Sequence, residues 1–137
     1  DRSNEIECIN ILSAVPLEGK TIWIVDDMID TAGSVFGLVR ELSSKSGKPI
    51  HVMVVHPVLS GPACDRLAIL REEGCLGRLV TCDTVDCSRI TEKLPFIEII
   101  ESASLSARIT LTISQERQMA DLIDGFDPVT YLSRARK

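Results

Sequence analysis

The chain has 137 residues, 45% hydrophobic and 26% charged, enough to bury one core but hardly two, so it reads as one domain or part of one. A net charge of -5 with scattered basic residues argues against a nucleic-acid partner, and no apolar stretch reaches the ~18 residues of a membrane span. Five cysteines (Cys8, Cys64, Cys75, Cys82, Cys87), odd in number and without paired CxxC or histidine spacing, point to reduced thiols in a cytoplasmic protein rather than to a disulfide framework or a zinc site.

In chain order, Glu7 to Val15 reads as a strand and Lys20 to Asp26 as the next. Thr21-Ile22-Trp23-Ile24-Val25 is apolar, β-branched and aromatic, the pattern of a parallel strand covered on both faces. Val35, Leu38, Val39 and Leu42 recur at helical spacing, which predicts a helix over Gly33 to Leu42 ended by Ser43-Ser44-Lys45-Ser46-Gly47. Ile50 to Val55 reads as a buried strand closed by His56-Pro57. Ser60 to Glu73 reads as a helix capped by Ser60, with Pro62 in the first turn, where a missing N–H donor does no harm. Leu79 to Thr81 and Phe96 to Ile100 are short strands, and a long helical region starts near Ala103. The terminal Arg134-Ala135-Arg136-Lys137 cluster reads as a solvated end. Strands alternating with helices imply an α/β fold with a doubly wound, mainly parallel sheet.

The run Ile24-Val25-Asp26-Asp27-Met28-Ile29-Asp30-Thr31-Ala32-Gly33-Ser34 sets two carboxylates and a small-residue turn between a strand and a helix. Open α/β sheets bind ligands at the carboxyl ends of their strands, and a helix amino end offers free N–H groups to a phosphate. Asp26 and Asp27 are adjacent acceptors suited to vicinal sugar hydroxyls. Thr31 and Ser34 supply hydroxyl donors, and Ala32 and Gly33 keep the loop thin. Asp30 would repel a phosphate, so it is expected to turn inward as an Asx turn or helix cap. An acidic pair after an apolar strand also opens receiver domains, where it holds magnesium, and can close a Walker B strand. Here the next strand ends in His56-Pro57 rather than in a phosphoacceptor Asp, and no glycine-rich Gly-Lys-Ser/Thr loop precedes the doublet.

Val25 to Ser34 resembles the phosphoribosyl-pyrophosphate motif of type I phosphoribosyltransferase folds, in the version found in ribose-phosphate pyrophosphokinases. Asn4-Glu5-Ile6, Leu59-Ser60-Gly61-Pro62-Ala63, Cys82-Asp83-Thr84-Val85, Ile97-Glu98-Ile99-Ile100 and Ala103-Ser104-Leu105-Ser106-Ala107 resemble further segments of that family, as does Val129-Thr130-Tyr131-Leu132. The resemblance implies that residues 1–137 are the carboxyl-terminal part of a phosphoribosyltransferase-like domain in a longer chain, the sheet being incomplete. It implies transfer of diphosphate from ATP to ribose 5-phosphate, giving phosphoribosyl pyrophosphate and AMP, with Mg2+ bridging phosphate oxygens and ATP bound by the part not in this chain. Asp26 and Asp27 would take the ribose hydroxyls, and Asp30, Thr31, Ala32, Gly33 and Ser34 the 5-phosphate. Ser60, Gly61 and Pro62 would form either a plain helix start or a loop near the phosphate, a subunit contact or a regulatory one. His56 reads as structural, and no residue offers itself as general base. A homo-oligomer in the cytoplasm is expected. A phosphoribosyltransferase of nucleotide salvage or synthesis, or a non-catalytic synthetase-associated regulatory subunit, would share the same seat.

Overall fold

The computed structural model describes residues 15–123, with elements β1 (Trp23–Ile29), α1 (Gly33–Ser46), β2 (Ile50–Pro57), α2 (Ala63–Glu72), β3 (Leu76–Cys82), α3 (Ser88–Lys93), β4 (Ile97–Ile100), α4 (Ala103–Ser114) and α5 (Ala120–Ile123). The strand expected over Glu7 to Val15, but for Val15, lies outside the described residues, as do Asn4-Glu5-Ile6, Val129-Thr130-Tyr131-Leu132 and the basic terminus. The chain divides after Ile100 into two compact units. Among the described residues no helix is long and apolar enough to cross a membrane.

In the first unit the strands form one parallel sheet in the order β1-β2-β3-β4. Parallel neighbours need a crossover, and each crossover here is a helix. Right-handed crossovers that all step in one direction place their helices on one face. The core shows this face: Ile50, Val52 and Val54 of β2 and Leu76 and Leu79 of β3 pack with Val35, Val39 and Leu42 of α1, Ala63, Leu67 and Leu70 of α2, and Ile90 of α3. The expected α/β parallel sheet is therefore present. The strand order does not reverse in this unit, so α1 to α3 make a single helical layer.

That layer corrects the reading of β1 as a strand covered on both faces, and it leaves β2, read as a buried strand, buried on one face only. Val25 is 72% exposed and Val55 45%, while Val52 and Val54 are buried. Successive strand residues face opposite sides, and α1 to α3 cover only one of them. An apolar run by itself cannot show which of its faces a helix will cover. Helix α1 also runs beyond Leu42, because the serine-rich segment is its last turn. It stops at Gly47, which takes φ 68 and returns its N–H to Ser43 O at 2.9 Å. That left-handed closure favours glycine.

The amino end of the sheet carries a row of paired polar and aromatic groups. The Trp23 and His51 rings stack with centroids 4.8 Å apart, and the Arg78 N–H donates to His51 Nδ1 at 2.9 Å. Arg78 Nε donates to Glu98 Oε1 at 2.8 Å, and the guanidinium lies 5.6 Å from the Trp23 ring centre. The Arg78 hydrogen bond holds the Glu98 carboxyl below its ordinary pKa.

In the second unit, α4 has no buried residue among those described. A concave space of about 250 Å3, lined by Arg108, Thr112, Arg117 and Gln118 with Leu111 and Leu122, includes none of the residues singled out by sequence.

Candidate functional site

Strand β1 does not end at Asp26. Asp26 pairs with Val54 and Met28 with His56, so the ladder carries the acidic doublet inside the strand. Consecutive strand residues project to opposite faces, and the two carboxylates straddle β1 rather than stand side by side. Both residues are exposed, and Asp26 Oδ1 accepts the Asp27 N–H at 2.8 Å.

The turn that follows is strained at one position. Ala32, only 4% exposed, takes φ 58, so the left-handed residue is the alanine and not the neighbouring Gly33, the first residue of α1. Such a conformation in a residue with a Cβ persists only where its surroundings hold it. The first helical hydrogen bond runs from Phe36 N–H to Ala32 O at 2.9 Å, which leaves the N–H groups of Gly33, Ser34 and Val35 without a helical acceptor. Among the described residues, the N–H groups of Asp30, Thr31 and Ala32 and the hydroxyls of Thr31 and Ser34 make no hydrogen bond either. They form an open set of donors at the positive end of the α1 dipole.

Asp30 and Ser60 correct each other's expected roles. Asp30 does not cap α1, whose N-cap is Ala32 with no side-chain bond, and Ser60 does not cap α2, which starts at Ala63 behind Pro62. The Ser60 hydroxyl instead donates to Asp30 Oδ1. Around this contact Leu59 N–H donates to Ile29 O and Ser60 N–H to Asp30 O, each at 3.0 Å, and Arg66 Nη1 donates to Thr31 O at 3.0 Å. Gly61, with φ 53, and Pro62 are exposed and lead into α2. Sequence reasoning missed Arg66 and the contact that Leu59 makes, because each meets a residue some thirty positions away that no local pattern connects to it.

The loops after β2 and β3 are also tied together. The Thr84 hydroxyl donates to Val55 O at 3.2 Å and lies 2.9 Å from His56 Nδ1. With its hydrogen on the carbonyl, Thr84 is left to accept from His56 Nδ1, which ties the ring to the β3–α3 loop. The Ser88 hydroxyl and N–H hold the Asp86 carboxyl below its ordinary pKa. Burial, followed by the charges of Asp83 and Asp86, pushes the Cys87 thiol up, so it is no ready nucleophile. Among the described residues no group of three His, Cys, Asp or Glu could hold a metal ion.

No family model matches the chain. A ribose-phosphate pyrophosphokinase of Burkholderia pseudomallei is 38% identical to it over 106 residues, 77% of this chain and 31% of that protein. Ribose-phosphate pyrophosphokinase 1 of Streptococcus pneumoniae is 34% identical over 126 residues, 90% of this chain and 36% of that protein. A crystal structure of phosphoribosylpyrophosphate synthetase from Mycobacterium smegmatis superimposes with a TM-score of 0.65 at 29% identity, over 75% of this chain and 33% of that one. The chain spans about a third of the length of the curated relatives it matches. Sequence along most of its length and fold agree: the chain belongs to the ribose-phosphate pyrophosphokinase family.

Proposed function

We propose that this chain is the ribose 5-phosphate-binding part of a ribose-phosphate diphosphokinase. The observation that carries the reading is the run of N–H groups from Asp30 to Val35 without partners among the described residues, at the amino end of α1. A phosphate there gains several N–H donors and a favourable helix dipole. Residues 30–34 would surround the 5-phosphate, and Asp26 and Asp27 would take ribose hydroxyls from the two sides of β1. In the reaction the anomeric oxygen bonds to the β-phosphorus of ATP as the bond to the α,β-bridging oxygen breaks. AMP leaves with that oxygen, and the hydroxyl proton passes to solvent. Residues outside this chain would bind ATP. Mg2+, when bound, would neutralise phosphate charge. A cytoplasmic homo-oligomer belongs to the same proposal, supported by the free thiols of Cys64, Cys75, Cys82 and Cys87 and by exposed Val25, Met53 and Val55.

The test is an assay of the full-length protein with ATP, Mg2+ and ribose 5-phosphate. AMP and phosphoribosyl pyrophosphate should form in equal amounts. The 137-residue chain alone should form neither, since holding two substrates in line is worth ~7–11 kcal/mol. Consumption of phosphoribosyl pyrophosphate instead would make the protein a phosphoribosyltransferase, and a full-length protein without turnover would make it a regulatory subunit.

A further inference from the structure

We propose that Ser60 and Arg66 are positioning residues that turn the β1–α1 loop into a row of donors facing an anion; the inference rests on the reading of that loop as a phosphate seat. A trans peptide points its carbonyl and the following N–H in opposite directions. Three successive carbonyls, those of Ile29, Asp30 and Thr31, are held by one segment, through Leu59 N–H, Ser60 N–H and Arg66 Nη1, each at 3.0 Å. The N–H groups of Asp30, Thr31 and Ala32 are thereby directed away from that segment, and none has a partner among the described residues. They continue into the N–H groups of Gly33, Ser34 and Val35, so the donors are consecutive.

The two side chains have separate tasks. The Leu59 and Ser60 backbone bonds hold the first two peptides, but the Thr31–Ala32 peptide is held through Arg66. That peptide enters the left-handed Ala32, φ 58, whose conformation needs external support. Leu59, φ 48, is a second non-glycine residue in that region, on the other side of the same contact. Ser60 acts on charge and competition. An aspartate at the head of a helix readily accepts loop N–H groups, which would consume the donors. With the Ser60 hydroxyl on its carboxylate, Asp30 accepts none of them.

The test is calorimetric titration of the full-length protein with ribose 5-phosphate and, separately, ATP. Ser60→Ala and Arg66→Met should each weaken ribose 5-phosphate binding about tenfold, the scale of one hydrogen bond's contribution, with ATP affinity unchanged. Ser60→Thr, which keeps the hydroxyl, should retain wild-type affinity. A general loosening of the fold would lower both affinities and would count against a positioning role. In the wild type, inorganic phosphate should compete with ribose 5-phosphate. Absence of competition would remove the phosphate seat itself, whereas competition with Ser60→Ala and Arg66→Met binding as wild type would overturn this inference alone.

Discussion

The two ends of the same sheet use polar groups in opposite ways. At the amino end, Trp23, His51, Arg78 and Glu98 stack or bond to one another across four strands. At the carboxyl end, the donors of residues 30–35 have no partners among the described residues, while Asp30 is taken up by Ser60. Groups that stack on and bond to one another tie the four strands together. An open set contributes little to stability, because water serves it equally well, but it can exchange that water for a phosphate. Side chains at the first end should therefore govern melting, and those at the second should govern binding.

The largest expected effect separates the two ends. Gly33→Val, at the first residue of α1, should abolish ribose 5-phosphate binding by calorimetry and leave the melting temperature near wild type, because its branched side chain stands where the phosphate must approach. Unchanged affinity would place the phosphate elsewhere. Next comes Asp27→Ala, expected to weaken sugar binding by roughly 1.5–3 kcal/mol, the worth of a hydrogen bond to a charged group. Were the doublet a magnesium site instead, the same substitution would remove metal affinity and spare the sugar, so separate titrations decide.

Gly77→Ala probes the other end. A Cβ at Gly77 would lie 2.7 Å from His51 Cε1 and Nδ1, so the ring must leave its stack on Trp23 and its bond from Arg78. Denaturant unfolding should show a loss of about 1–3 kcal/mol, the usual scale of overpacking, with ribose 5-phosphate affinity intact. Equal loss of binding would mean that the ends are coupled. The smallest effect is that of acid on the Arg78–Glu98 pair. The folded carboxyl has the lower pKa, so its contribution to stability is complete above the unfolded value of ~4.3 and is lost as pH falls through the folded one. Melting temperature should fall slightly more over that window in the wild type than in Glu98→Gln. Identical profiles would show that the exposed pair contributes nothing.

Local chemistry was legible in the sequence wherever one segment decides it. The alternation of elements, the turn after β1 and the start of α1 at Gly33 follow from spacing and residue type. What escaped depends on partners distant in the chain. The acidic pair stays in β1 because Met28 pairs with His56, and Ser60 meets Asp30 rather than capping α2. α3, six residues with Ile90 as its buried contact, is too short to show a period. The left-handed residue of the turn is Ala32 rather than a glycine, and the contacts of Leu59, Ser60 and Arg66 that override local preference come from a segment some thirty positions away.

Amide hydrogen exchange of the full-length protein, with and without ribose 5-phosphate, tests the contrast between the two ends most directly. Exchange should slow at the amides of Thr31, Ala32, Gly33, Ser34 and Val35 on binding, with Trp23, His51 and Arg78 unchanged. Binding that leaves the amides of residues 31–35 exchanging as before would contradict that contrast.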